Sequence, residues 1–329
     1  MTDTDRTLAI CICTDGVPAA QQRLQRCLAS ALRQDPGAGM RLMVILVDNS
    51  ETGTAARCDP AIHYVPEPVR GIPFARNAGL EEALKLGADL IGFIDADELA
   101  PPGWVALLRA ELEASGADVV QGDVRRFADD ASLRAFCSAP IAPVTRHRRA
   151  ATGATNNTLM RAWIAGARGL RFDTIMRFTG GSDGEFFMRA NDAGAVILRL
   201  RGATVGEFWP PERASHSATL ARSRRVGANC RYRYAKNRSV AVAFVRIALR
   251  CGGRVLSAVR KAAVAAPAAL IAGKGPRHHL RAAMIDLSFV QGCLSGTPAG
   301  GIAPYQPADA TAAEDPAQST DSTGRLAGD

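Results

Sequence analysis

Short apolar runs alternate with stretches of helical spacing through the first 125 residues, and that alternation restricts the fold more than any other feature of the chain. Leu8 to Cys13 is a buried-strand run, and Ala19 to Leu32 follows with Leu24, Cys27, Leu28, Ala31 and Leu32 on one helical face. Leu42 to Val47 is the next run and ends in Asp48-Asn49-Ser50. A weaker strand covers Ile62 to Val65, and a helix covers Phe74 to Leu86 before Gly87. Asp89 to Ile94 is the third strong strand, a helix runs from Pro101-Pro102 to about Ala114, and Asp118 to Val124 closes the series. Strands that alternate with helices in this way form a mainly parallel sheet covered on both faces. Ligands of such sheets sit beyond the carboxyl ends of the strands, the edge where Asp48 and Asp95 fall.

The third strand runs directly into acids: Leu-Ile-Gly-Phe-Ile-Asp-Ala-Asp-Glu-Leu, residues 90 to 99. Alternate residues of an extended chain point the same way, so Asp95 and Asp97 can converge, and adjacent carboxylates repel unless a cation joins them. Hard oxygen donors suit Mg²⁺ or Mn²⁺, which phosphates often complete. An acidic loop at the start of the following helix explains the same residues without any metal. From these positions alone both readings stand.

After residue 125 the alternation fades. A strand is expected at Ala154 to Met160, a helix at Asp183 to Ala193 and a strand at Ala195 to Leu200, continuing one domain. The charge then changes character. The net charge of +8 conceals sixteen Lys and Arg with no Asp or Glu between Arg213 and Arg281, against 24 bases and 32 acids elsewhere. A basic block meets phosphate, on nucleic acid or on an anionic membrane. Aromatics make up only 5% of the chain, too few for the stacking platforms of single-strand binders, which favours membrane over nucleic acid. Helices are expected at Val240 to Leu249, Val255 to Val264 and Leu280 to Leu294. The longest uncharged stretch, Ala262 to Gly273, carries Pro267 and falls short of the roughly 20 residues that span a bilayer. Helices lying in the membrane interface are the expectation.

Pro304 to Asp329 holds little to bury and is expected to be disordered. Eight scattered cysteines without paired metal-site spacing, and an N-terminus without a basic or apolar leader, lead to the expectation of a cytoplasmic protein with reduced thiols.

Four motifs occur in order: Leu-Ala-Ile-Cys-Ile-Cys-Thr from residue 8, Val-Ile-Leu-Val-Asp-Asn-Ser, Gly71-Ile-Pro-Phe-Ala-Arg-Asn-Ala-Gly79, and Phe-Ile-Asp-Ala-Asp-Glu. Together they closely resemble the family 2 glycosyltransferases, and within them the bacterial exopolysaccharide enzymes of the succinoglycan glucosyltransferase type. The resemblance covers roughly residues 7 to 215. It implies an α/β chain of the GT-A (Rossmann-like) class, a mainly parallel sheet with helices on both faces, followed by a C-terminal basic amphipathic helical segment. With the charge and composition patterns it divides the chain: 1–212 as the transferase domain, split into a nucleotide-sugar-binding half (1–125) and an acceptor and catalytic-base half (126–212), then, from charge, a membrane-associating segment at 213–303 and, from composition, the tail at 304–329.

Residue by residue, the resemblance makes Asp48 the acid that binds the nucleobase and puts Thr14 in the loop that touches the nucleotide. It puts Arg76 and Asn77 along the donor site, Asp95 near the ribose, and Asp97 on the metal. Thr179-Gly-Gly-Ser-Asp183-Gly-Glu185 looks like the family's Gly-Gly-Glu-Asp segment, whose Asp is the general base, with Ser182 standing where the family usually has Glu. Such a base is needed because the acceptor hydroxyl must lose its proton as it attacks the anomeric carbon. Asn157, or its neighbour Asn156, and Glu185 are the acceptor-side candidates, and His216 a further candidate near the diphosphate.

The implied reaction is inverting transfer of a hexose from a nucleoside diphosphate sugar, UDP-linked by expectation, with Mn²⁺ or Mg²⁺, to a lipid-linked saccharide. It would take place peripherally on the inner face of the cell membrane and without nucleic acid. Two alternatives stay open. An Asp-x-Asp phosphohydrolase would use Asp95 as nucleophile, although Leu99 and the motif's distance from the N-terminus fit it poorly. A non-catalytic nucleotide-sugar or membrane-binding protein would have a decayed site. Ser182 mildly favours decay, whereas the retained Asp48, Asp95, Asp97 and Asp183 argue against it.

Overall fold

The computed structural model describes residues 6–17, 20–51, 59–271 and 277–295, the side chains of 265–271 and 277 excepted. The 304–329 tail, Cys58 and part of the Ala262–Gly273 stretch lie outside the described residues. Eleven strands are described: β1 (Arg6–Thr14), β2 (Met40–Asp48), β3 (Ile62–Pro66), β4 (Leu90–Phe93), β5 (Glu98–Leu99), β6 (Val119–Gln121), β7 (Val124–Phe127), β8 (Arg146–Ala150), β9 (Thr158–Arg161), β10 (Ile197–Arg201) and β11 (Val205–Phe208). The helices are α1 (Gln21–Leu32), α2 (Ile72–Lys85), α3 (Trp104–Ser115), α4 (Asp130–Ser138), α5 (Ser182–Asp192), α6 (Pro211–Ala214), α7 (His216–Asn237), α8 (Val240–Ile271) and α9 (Arg277–Leu294).

One sheet has the order β3-β2-β1-β4-β9-β6-β10-β8. Its first four strands are parallel, as is the β6–β10 pair. β9 runs antiparallel between β4 and β6, and β8 antiparallel at the edge of β10. Both faces are covered, as the apolar runs require. Leu8, Ile10 and Ile12 face one core with residues of α1 and α3, while Ala9 and Cys11 face a second core with residues of α2 and α5.

The expected strand at Asp118–Val124 is two strands. β6 stays in the main sheet, and β7 leaves it for a small sheet ordered β5-β11-β7. The break comes at Gly122, where a Cβ would sit 2.3 Å from the carbonyl of Ala203. This second sheet sets Glu98 directly opposite Glu207.

Two other expectations change. The two helices expected at 240–249 and 255–264 are one helix, α8, which continues through Gly252-Gly253. Ala243, Ile247, Cys251, Ala258 and Lys261 form one at least partly buried stripe along it, and packing on α9 outweighs the intrinsic cost of about 1 kcal/mol for each glycine. Helix α7, rich in Arg, falls in the basic helical segment expected from residue 213, at a place where the apolar spacing marks no individual helix. Its Asn229 amide donates to the carbonyls of Thr179 (3.3 Å) and Gly180 (2.8 Å), which fixes the turn before α5. Gly181 in that turn has φ +80°, and a Cβ there would meet the Asn229 amide nitrogen at 2.8 Å, so glycine is required twice over.

Candidate active site

The parallel register of β1 and β2 sets Thr14 beside Asp48 at the carboxyl edge of the sheet. Asp48 is buried, and its carboxylate accepts from the Ser50 amide at 2.9 Å and the Tyr64 hydroxyl at 2.8 Å. Thr14 Oγ1 accepts from the Gly16 amide and shapes the loop that leaves β1. The side chain of Asn49 accepts from the Gly71 amide at 2.8 Å, which ties the start of α2 to the end of β2.

One turn into α2 the neighbours Arg76 and Asn77 diverge. Arg76 reaches the Ser182 hydroxyl at 3.3 Å and Asp95 at 4.0 Å, and so links the loop after β4 to the start of α5. Ser182, in the place of the family's Glu, is fully buried and is held by this contact. Asn77 uses both ends of its amide on the backbone of Phe172, at 2.7 and 3.0 Å, and braces α2 against that segment.

The loop after β4 concentrates acids. Asp95 and Asp97 are joined by Glu98, which is fully buried, and by Glu207, which β11 brings across the small sheet. Glu98 Oε2 accepts from the Asp95 amide at 2.9 Å, while its Oε1 is buried with no hydrogen-bond partner among the described residues. Arg213 donates to Asp97 at 3.1 Å and Arg126 to Glu207 at 3.0 Å.

These cations do not balance the cluster. Loss of hydration pushes the Asp95 carboxyl from 3.8 to about 7, with Arg76 pulling it back and Asp97, Glu207 and Asp183 pushing further. Burial, with Asp95 beside it, drives Glu98 well above the carboxylate range. Glu207 is likewise raised by burial.

Beside the cluster is an open cavity of about 390 Å³ lined by Arg126, Phe127, Trp209, Pro211 and Ser215. The Trp209 ring has the guanidinium of Arg126 at 3.9 Å and that of Arg222 at 4.3 Å from its centre. The His216 ring lies at the start of α7, its Nε2 buried and without a partner among the described residues.

Asp183 lies in the first turn of α5, where its Oδ1 accepts from the Gly184 amide at 2.7 Å. Arg76, which contacts both Asp95 and Ser182, brings the start of α5 to the loop after β4, and the Asp183 charge is felt at Asp95.

The two acceptor-side candidates, Asn157 and Glu185, have their polar atoms engaged inside the protein. Asn157 is fully buried: its Oδ1 accepts from the Trp104 indole at 2.7 Å, and its amide donates to the carbonyls of Asp123 and Ala203. Glu185 is also fully buried, held by Arg189 at 2.7 and 2.8 Å and by Asn237 at 3.3 Å, with Lys236 at 3.6 Å. Both are structural anchors with their oxygens engaged inside the protein. The sequence reading missed Glu207 and Arg213 because each reaches the acids through tertiary structure, and no local pattern marks them.

Among the described residues no group of three His, Cys, Asp or Glu forms a metal cage. The donor set nevertheless fits a hard cation completed by ligand oxygens. Two neighbouring carboxylates, Asp95 and Asp97, lie in one loop, loss of hydration and then like charge raise Asp95, and a buried Glu98 oxygen has no partner among the described residues.

Comparison with known proteins agrees with this geometry. The protein-family model for glycosyl transferase family 2 matches residues 9–173. The succinoglycan biosynthesis protein ExoM of Rhizobium meliloti (strain 1021) is 31% identical over 195 residues, covering 56% of this chain. The match spans only 62% of that relative's length. Among solved structures, S. aureus TarS 1–349 aligns over 87% of this chain and 90% of its own, with 13% identity and a TM-score of 0.45. A second S. aureus TarS structure aligns over 87% of this chain and 54% of its own, with 13% identity and a TM-score of 0.46. With its motifs in family order at the edge of a doubly covered α/β sheet, the chain belongs to glycosyl transferase family 2.

Proposed function

We propose that the chain is an inverting, metal-dependent hexosyltransferase. It moves a sugar from a nucleoside diphosphate donor, UDP-linked, to a lipid-linked saccharide in exopolysaccharide synthesis. The observation that carries this reading is the gathering of Asp48, Asp95, Asp97 and Asp183 at one sheet edge, with Arg76 joining Asp95 to Ser182. The name of the relative, a succinoglycan biosynthesis protein, supports the exopolysaccharide setting.

Each residue then has a task. Asp48, held by Tyr64 and Ser50 beside Thr14, would bind the nucleobase, and Thr14 shapes the adjoining loop. Asp97, with Asp95 beside it, would hold Mn²⁺ or Mg²⁺. When bound, the ion offsets the charge that develops on the departing diphosphate. Arg76 holds Asp95 and the start of α5 in fixed relation. Asp183 takes the proton of the acceptor hydroxyl as that oxygen attacks, in one displacement that inverts the anomeric centre.

Among the described residues no helix is long and apolar enough to cross a membrane. The basic segment from Arg213 supports attachment to the cytoplasmic face of an anionic membrane, where each nearby Lys or Arg contributes about 1 kcal/mol. The test is transfer from labelled UDP-sugars to a polyprenyl-diphosphate saccharide with Mn²⁺ or Mg²⁺. Transfer with inversion supports the reading. Release of phosphate without transfer, or donor binding without turnover, contradicts it.

A further inference from the structure

Helix α8 is apolar on the side that faces away from the protein. Its inner stripe packs on α9 and α7 and includes Ala243, Ile247, Cys251 and Ala258. On the opposite side, Val245, Leu249, Leu256 and Val259 recur at helical spacing and are 53%, 69%, 70% and 59% exposed. Nine of the eighteen large apolar side chains exposed among the described residues belong to this one helix, so the patch is not ordinary surface scatter.

Charge flanks the stripe. Arg246, Arg250 and Arg260 are exposed along one border, and none forms an ion pair with a described acid. The acid of the helical unit, Asp286, is already held by Arg254 and Lys261 on the inner side. Residues 296–329 are poor candidates to cover the stripe, because they contain only Ile302, Tyr305 and Leu326 as large apolar side chains.

We infer that α8 is a monotopic membrane anchor: its Val245–Leu249–Leu256–Val259 face enters the interface of an anionic bilayer, while Arg246, Arg250 and Arg260 bind lipid phosphates along one side. The inference deepens the membrane reading above by naming the face and its orientation. An apolar face away from the protein with cations at its border is the pattern of a helix lying in the interfacial plane. With cations on one border only, the roll of the helix is fixed, and with it which side of the helical unit meets the lipid.

The test is flotation of the full chain with vesicles of phosphatidylcholine mixed with phosphatidylglycerol, and with pure phosphatidylcholine vesicles. The wild type is expected to float with the anionic vesicles, less with the neutral ones, and less again in high salt. The L249E/L256E double variant is expected to lose at least about tenfold in vesicle binding, with an unchanged far-UV spectrum. The R246Q/R250Q/R260Q variant is expected to lose the preference for anionic lipid. Unchanged flotation of L249E/L256E overturns the inference. So does a wild type that is dimeric and ignores vesicles while L249E/L256E is monomeric, because the face then serves a second copy of the chain. Transfer to a water-soluble acceptor is a separate readout: its loss in the wild type would count against the enzymatic reading and leave this inference intact.

Discussion

Two groups of acids, one around Asp173 and Glu185 and one in the loop after β4, are treated in opposite ways. Asp173 and Glu185 are matched by cations and donors: Lys236 at 2.6 Å and Tyr232 at 2.8 Å on Asp173, and a bidentate Arg189 on Glu185. Asp95, Asp97, Glu98 and Glu207 have more carboxylates than close cations and one buried oxygen without a partner, and burial and neighbouring acids raise the proton affinity of Asp95, Glu98 and Glu207. The first group is finished by folding, since its charges bolt α7 to α5. The second retains an electrostatic cost that only added positive charge relieves, and such residual cost marks functional sites more often than structural ones.

The sharpest way to break this contrast is at Asp183, the acid that neither group owns. Asp183→Asn should lower the transfer rate by about 10²–10⁴-fold while donor affinity stays within a few-fold. Single-turnover transfer and donor titration by calorimetry separate the two quantities, and a near-normal rate would remove Asp183 from the chemistry.

The next largest effect belongs to the matched group. Arg189→Met strands the fully buried Glu185 and should cost about 3–5 kcal/mol in denaturant unfolding, with nucleotide binding to surviving folded protein unaltered. A loss below about 1 kcal/mol would mean that Glu185 is not held as its contacts indicate.

pH separates the groups by sign. Asp95 binds its proton more tightly folded than unfolded, so its contribution to stability is present below 3.8 and is lost as pH rises through about 7. Asp173 runs the other way. Burial alone would raise it, but Lys236 and Tyr232 hold it below the ordinary value, so its contribution is present above that value and lost as pH falls through the depressed one. Urea unfolding as a function of pH should show the decline between 3.8 and 7 flattened in Asp95→Asn, and the acid-side decline weakened in Asp173→Asn. Identical profiles for the two variants would erase the distinction.

The smallest effect is at the border of the unmatched group. Arg213 is half exposed where it meets Asp97, so Arg213→Gln should change stability by less than about 1 kcal/mol. It should still raise Mn²⁺ affinity a few-fold by freeing Asp97, which equilibrium dialysis can read.

Much of this arrangement is legible from the chain. The runs at residues 8–13, 42–47 and 89–94 locate β1, β2 and β4 within a few residues, because strands buried on both faces write themselves as continuous apolar stretches. Asp48 and Asp95 are readable at the sheet edge for the same reason. Asn157 and Glu185 are not, because a polar side chain carries no local mark of which way it is turned. The Trp104 partner of Asn157 is 53 residues away, and Glu185 adds to its Arg189 pair four residues on a contact with Asn237, 52 residues away. Helix α7 is hidden for a related reason: its apolar periodicity is weak, and it is fixed by Asn229, Tyr232 and Lys236 reaching earlier turns. Gly252-Gly253 read as a break because the packing stripe that carries α8 past them exists only once α9 is in place.

On the proposed reading, the unmatched acids take up a divalent ion together with a nucleoside diphosphate. Thermal unfolding of the full chain with UDP, with and without Mn²⁺, in wild type and Asp97→Asn tests it most directly. The account predicts that UDP raises the unfolding temperature of the wild type only when Mn²⁺ is present, and that Asp97→Asn abolishes the shift. An equal shift without metal, or in Asp97→Asn, would contradict it.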